Sequence, residues 1–155
     1  MNTQPWHFTA VTDEEVQTKL ADAMKSMKPP ANAPKDMPKP PEGGFSKMPN
    51  KAGIGDAPLT IVISCKAGSE LDAGLAVQNM SAEAQLLGYG TKIMTAPKMA
   101  LNTNEYKELL SVPEGQDIAA VLIVGKAATE KDNPDALTSA TTRNAFDEVV
   151  TVIGQ

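Results

Sequence analysis

The sequence predicts an α+β domain, one sheet with helices on both sides. Three observations carry that expectation. Leu59–Cys65 and Ala119–Val124 are short, almost continuously apolar runs, with the length and branched side chains of strands buried inside a sheet. Asp13–Met27 and Glu70–Leu87 instead space their apolar residues at helical intervals. A chain of 155 residues with 41% apolar content encloses one core of modest size, so the expectation is a single domain over residues 1–155. One sheet covered on both faces is the economical way to bury these elements.

Composition narrows the function classes. Aromatic residues are only 4% of the chain, so the core must be built from Ala, Val, Leu, Ile and the eight Met. The net charge is −5 with no Lys/Arg cluster to offset it, which argues against a nucleic-acid partner. Cys65 is the single cysteine: it excludes an internal disulfide and fits a reducing compartment. Its place at the end of an apolar run, with no catalytic partner in view, reads as a buried, inert thiol. No apolar run approaches the ~20 residues of a membrane span and no signal peptide is visible, so a cytoplasmic protein away from membranes is expected.

In chain order, Phe8–Val11 is a short strand candidate. Thr12-Asp13-Glu14-Glu15 has the shape of a capping box, with Thr12 and Glu15 bonding reciprocally and Val11 and Val16 as a hydrophobic staple. Val16, Leu20, Met24 and Met27 then mark one face of a helix over Asp13–Met27, which Pro29-Pro30 stops. Lys28–Pro58 holds eight of the twelve prolines, several lysines and few bulky apolar residues, Phe45 and Met48 among them. It reads as a long loop insertion, with a lid or binding loop and a surface insertion without a role both open.

The strand Leu59–Cys65 is placed centrally, and Glu70–Leu87 is the longest helix. Leu75, Ala82 and Leu86 lie on one side of it; Val77, Met80, Ala84 and Leu87 lie on another. A helix apolar around so much of its circumference is buried on more than one side, which in a one-sheet domain implies a subunit interface. Gly88 ends it. Thr91–Thr95 is a short strand. Asn104–Leu110 is a short helix with Asn102 or Thr103 near its cap, stopped by Val112-Pro113-Glu114-Gly115. Ala119–Val124 is a second central strand ended by Gly125, and Glu130–Pro134 is a turn. Phe146–Ile153 is equally readable as strand or helix.

The opening of the chain is the distinctive part: Asn2-Thr3-Gln4-Pro5-Trp6-His7-Phe8 concentrates the only Trp and the only His. His7 has no second ligand candidate beside it, so no metal site is expected; a solvent-facing strand position suits it. Trp6 reads as a packing anchor and Tyr89 as a packed aromatic. The stretch resembles the N-x-Q-P-W-x-F signature of the nitroreductase family of flavin-dependent oxidoreductases. Other segments follow in that family's order. Asp56-Ala57-Pro58 leads into an apolar strand, and Asp72 lies at the opening of the long helix. Leu87-Gly88-Tyr89-Gly90-Thr91 is similar to L-G-L-G-T, and Leu109-Leu110-Ser111-Val112-Pro113-Glu114-Gly115 is similar to the family's "ell-x-iPeg". Arg143 precedes Phe146-Asp147-Glu148-Val149-Val150 as the family's late basic residue precedes "leevv". The resemblance spans nearly the whole chain except the Pro-rich loop.

The resemblance implies a central mixed or antiparallel sheet flanked by helices, in a homodimer with FMN at the subunit interface and the long helix near the dimer axis. It implies electron transfer from NAD(P)H to a nitro, quinone or similar small-molecule acceptor, with the flavin doing the chemistry and no catalytic side chain required. Cofactor contacts carry over to five positions. Asn2 lies against the partner's flavin and Gln4 reaches polar ring atoms, where turn and cap chemistry is the plainer alternative. Thr95 and Ala96 match the segment whose backbone amides approach the flavin N5 edge. Arg143 binds the phosphate, with a surface salt bridge as its plainer alternative. Relatives carry an Arg-Arg-Ser-x-Arg run and a Pro-Ser pair ahead of the Asn; neither occurs here. The alternative expectation is therefore an N-terminally truncated, degenerate member. Such a protein would keep the dimeric fold and act as a flavin- or small-molecule-binding or structural protein without turnover.

Overall fold

The computed structural model describes residues 3–26, 53–126 and 144–153. Its centre is a four-stranded antiparallel sheet of β1 (Trp6–Val11), β2 (Leu59–Cys65), β3 (Gly90–Met94) and β4 (Asp117–Gly125), in the order β1-β2-β4-β3. The two apolar runs take the two central positions, as their composition requires. The helices are α1 (Glu14–Lys25), α2 (Glu70–Leu86), α3 (Lys98–Leu101), α4 (Asn104–Leu109) and α5 (Phe146–Val149).

Alternation along the strands sorts the core into two layers. Val62, Val121 and Ile123 face one side and pack with Leu20 of α1, Leu101 of α3 and Leu110 beside α4. Ile63, Cys65 and Leu122 face the other side and pack with Ala73 and Val77 of α2. Helices thus cover both faces of the sheet. Buried polar groups tie the layers together. Gln17 on α1 donates to the carbonyls of Val11 (3.4 Å) and Pro58 (3.2 Å) and accepts from the Thr60 hydroxyl (3.2 Å). The hydroxyls of Ser81 and Thr91, 2.6 Å apart, join α2 to β3.

Several local expectations are corrected. The cap of α1 is Asp13, whose carboxylate accepts from the Val16 N–H at 2.9 Å; the Thr12/Glu15 box does not form, because the helix starts one residue later than its acidic run suggests. Val11 and Val16 still meet in the same core layer. α1 ends at Lys25, and Met27 and the prolines beyond it lie outside the described residues. β1 begins two residues earlier than expected and β4 two residues earlier, while β3 runs Gly90–Met94. Of Asn102 and Thr103, the two expected near the α4 cap, Thr103 is the cap and accepts from the Tyr106 N–H, while Asn102 has another partner. The four-residue α3 was not anticipated. Tyr89 is 46% exposed rather than packed, since Gly88 (φ +84°) turns the chain out of α2 before it reaches the sheet.

On α2 the sheet side is Ala73, Val77, Ser81 and Ala84, all buried. Leu71, Leu75, Leu86 and Leu87 are exposed in the single chain, so Leu87 belongs with the outward face rather than with Val77. His7 and Trp6 are half-buried on β1, and Trp6 packs toward Phe8 with ring centroids 6.5 Å apart. After the single turn of α5 the chain runs on as exposed residues to Ile153. The Pro-rich segment is described only from Gly53. There the Gly53 N–H donates to Asp56 at 2.7 Å and Ile54 enters the core. The Glu130–Pro134 turn lies outside the described residues.

Candidate functional site

One end of the sheet gathers the start of β1, the end of β2, the start of β4 and the end of β3. Here the β2–β4 ladder slips: Ile63 pairs with Ala120 but Ser64 pairs with Ile118, so Ala119 is an extra residue in β4. Such a bulge bends its strand and re-aims side chains. It lies in the wall of a cavity of about 450 Å³, within the usual size range of small-molecule sites.

The first two turns of α2 form one wall of this cavity through Glu70, Ala73, Gly74 and Val77. Strands β2 and β4 contribute Ile63, Cys65, Asp117, Ile118, Ala119 and Ala120, with Ala67 just beyond β2. The far side is Ile93, Thr95, Lys98 and Asn102, from β3 and the turn into and out of α3. That turn is tight: the Thr95 carbonyl accepts from the Lys98 N–H and the Ala96 carbonyl from the Met99 N–H. Asn102 is locked to the cavity floor, donating to the Ile118 carbonyl at 2.9 Å and accepting from the Ile118 N–H at 2.7 Å.

Most of the lining is apolar, with few polar groups at the rim. Glu70 and Asp117 bring negative charge and Lys98 positive; Asp117 is also ion-paired with Lys107 outside the cavity. Cys65 is buried against this group. Loss of solvent around it, then the charges of Glu70 and Asp117, push its thiol up from the ordinary value of 9.0. It is therefore a neutral thiol at neutral pH, matching the inert reading. Among the described residues no group of three or more His, Cys, Asp or Glu could hold a metal ion.

Of the five positions singled out in the sequence, Thr95 lines the cavity and Ala96 follows it on the exposed turn. Gln4 sits at the same end of the sheet but on the opposite edge, ahead of β1. Three strand spacings of ~4.8 Å put about 14 Å between these edges. Gln4 has φ +42°, rare for a residue with a side chain and rarer before a proline. Strain of this kind concentrates at functional sites. Asn2 and Arg143 lie outside the described residues. The residues that sequence reasoning missed are Gly74, Lys98, Asn102 and the Ala119 bulge. A glycine inside a long helix was the one visible signal among them.

The lining fits a flat ring system. Apolar walls suit the ring, and a few polar groups suffice to orient it. The carboxylates are offset, Asp117 by its ion pair with Lys107 and Glu70 by the Lys98 ammonium in the same lining. No helix among the described residues is long and apolar enough to cross a membrane.

A family model described as the nitroreductase family matches residues 1–126. Among curated proteins, none matches the chain. Three solved structures illustrate the fold similarity. A nitroreductase with bound FMN from Bacteroides fragilis superposes with a TM-score of 0.68 at 19% identity, covering 99% of this chain and 79% of that one. A nitroreductase with bound FMN from Desulfitobacterium hafniense gives 0.65 at 19% identity, covering 99% and 78%. An FMN-dependent nitroreductase from Clostridium difficile gives 0.57 at 22% identity, covering 92% and 76%.

Proposed function

The chain belongs to the nitroreductase family, and from that premise we propose that it is an FMN-dependent oxidoreductase. In this reading a cytoplasmic homodimer of single-domain subunits passes electrons from NAD(P)H to a nitro, quinone or similar organic acceptor. The observation that carries the reading is the cavity at the end of β3. It is apolar, sized for a small molecule, and bordered by Thr95.

FMN, when bound, supplies the hydride and electron chemistry, and the protein supplies binding, orientation and exclusion of water. Thr95 and Ala96 offer backbone N–H groups to the polar edge of the ring. The apolar lining from α2 and β4 keeps water from the reacting face. Gln4, on the far edge of the sheet, serves with Asn2 the ring bound by the other subunit, which accounts for its separation from Thr95. Arg143 takes the phosphate. The exposed leucines of α2 form the subunit contact.

The test is the visible spectrum of the purified full chain. Flavin absorption that bleaches on addition of NADH or NADPH supports the enzyme. A colourless protein that fails to take up added FMN sinks it. Arg143→Ala is expected to weaken FMN retention by a hundredfold or so, the usual consequence of losing a charged phosphate contact; unchanged affinity removes Arg143 from the site. The mostly apolar lining favours one further reading, a protein of the same fold that binds neutral ring compounds without turnover. A stable complex with lumiflavin (the flavin ring without its phosphate), alongside no FMN uptake, would select it.

A further inference from the structure

We infer that Gly74 leaves a bare strip of α2 backbone against which a planar aromatic ring lies flat, so that this position sets the thickness of the cavity. The inference rests on the proposed function and deepens it by naming what the cavity accepts.

Gly74 stands five residues into α2, a helix of 17 residues, where glycine is the worst ordinary helix former. Nothing among the described residues requires it. Its φ is not in the left-handed region, unlike Gly68 and Gly88 on either side of the helix, and a Cβ built there meets no atom within 4 Å. Among the described residues, no neighbouring strand or side chain is therefore the reason for its smallness. The open space it faces belongs to the cavity, where it sits between Glu70 and Val77. On the β4 side, Ala119 and Ala120 at the bulge bring only methyl groups to the lining, beside Asp117 and Ile118. Bare backbone at Gly74 and methyl groups at Ala119 and Ala120 border the same cavity, a lining suited to a flat group. A methyl at residue 74 would narrow it from the helix side.

The ring has two sources, a flavin or an aromatic acceptor, and the experiment separates them. Gly74→Ala and Gly74→Leu are compared with the wild-type full chain in thermal unfolding, in sedimentation, and in titrations with FMN, lumiflavin and 1,4-naphthoquinone. Both substitutions restore a good helix former and raise Tm by roughly 2–5 °C. Affinity moves the other way, falling roughly tenfold for Ala and further for Leu. Weaker FMN and lumiflavin binding assigns the cavity to the flavin ring. Unchanged flavin binding with weaker naphthoquinone binding assigns it to the acceptor. Either result supports the inference.

Three results overturn it. One is unchanged affinity for all three probes in both variants. Another is a wild-type chain that binds neither lumiflavin nor naphthoquinone. The third is a change of oligomeric state in Gly74→Ala with affinities intact, which would make the glycine a point of subunit approach. A wild-type chain that refuses FMN but binds lumiflavin, weakened by Gly74→Leu, defeats the proposed enzyme and leaves the inference standing.

Discussion

The side-chain amide of Asn102 takes both hydrogen bonds of one peptide residue, donating to the Ile118 carbonyl at 2.9 Å and accepting from the Ile118 N–H at 2.7 Å. An amide that copies a strand partner in this way holds the start of β4 where the Ala119 bulge has broken the ladder with β2. It also ties the α3–α4 connection to the cavity. Asn102→Ala removes both bonds and leaves the polar groups of a buried residue without these partners. The expected cost is about 1–3 kcal/mol in urea unfolding. Asn104→Ala, on the exposed first turn of α4, serves as the control and changes stability by less than about 0.5 kcal/mol. Equal effects of the two substitutions would refute the clamp.

The cap of α1 separates two neighbouring residues. Asp13→Ala loses the bond to the Val16 N–H and a favourable charge at the helix start, at a cost of about 1 kcal/mol. Thr12→Ala costs less than half of that, because Thr12 caps nothing. A larger loss at Thr12 than at Asp13, read by thermal unfolding, would restore the capping box.

Cys65 has its thiol raised by burial first and by Glu70 and Asp117 second. Alkylation by iodoacetamide at pH 7.5 is expected to be far slower than that of a free thiol, since the thiolate is the nucleophile. The rate should rise with an apparent midpoint above 9.0. Glu70→Gln removes one of the raising charges and shifts the midpoint down. The sign for stability follows from the same shift: because the folded pKa is raised, this group's contribution is intact below the unfolded thiol's pKa. It is lost as pH rises from there through the folded value. Cys65→Ser should flatten that alkaline fall; a wild-type midpoint at or below the ordinary thiol value contradicts the assignment.

The outward face of α2 exposes Leu71 by 77% and Leu86 by 83%. In the proposed dimer this face is covered. Leu75→Lys combined with Leu86→Lys forfeits roughly 1.5–3 kcal/mol of burial per leucine, which weakens association by a hundredfold or more. Sedimentation should show a dimer for the wild type and a monomer for the double variant. A double variant that stays dimeric places the interface elsewhere.

Much of the fold was legible because its signals are local. Leu59–Cys65 announces itself as a central strand by unbroken apolar content, and its observed bounds agree. Gly88 adopts the left-handed conformation expected of a helix-ending glycine. The helical spacing of Val16, Leu20 and Met24 identified the face of α1 that meets the core. Thr95 was legible as a site position only through resemblance, since nothing in its own neighbourhood marks it. The cap of α1 was missed because Thr12 and Asp13 both satisfy the same short pattern. The choice between Asn102 and Thr103 as the α4 cap stayed open because an Asn before a helix looks the same whether its amide bonds forward along the chain or across to a strand 16 residues away.

The sequence by itself determined the four strands, the helices α1, α2 and α4, which strands are central, and the family to which the chain belongs, but not α3 or whether Phe146–Ile153 is strand or helix. Those properties depend on side-chain periodicity and on residues a few positions apart, and both can be read along one dimension. Tertiary structure alone decided that β4 carries an extra residue at Ala119, that Asn102 clamps Ile118, and that Gly74 faces open space in a cavity rather than a packed neighbour. Register and cavity shape arise from contacts between segments far apart in the chain. No local pattern encodes them, because the same residues would satisfy their immediate neighbours equally well in another register.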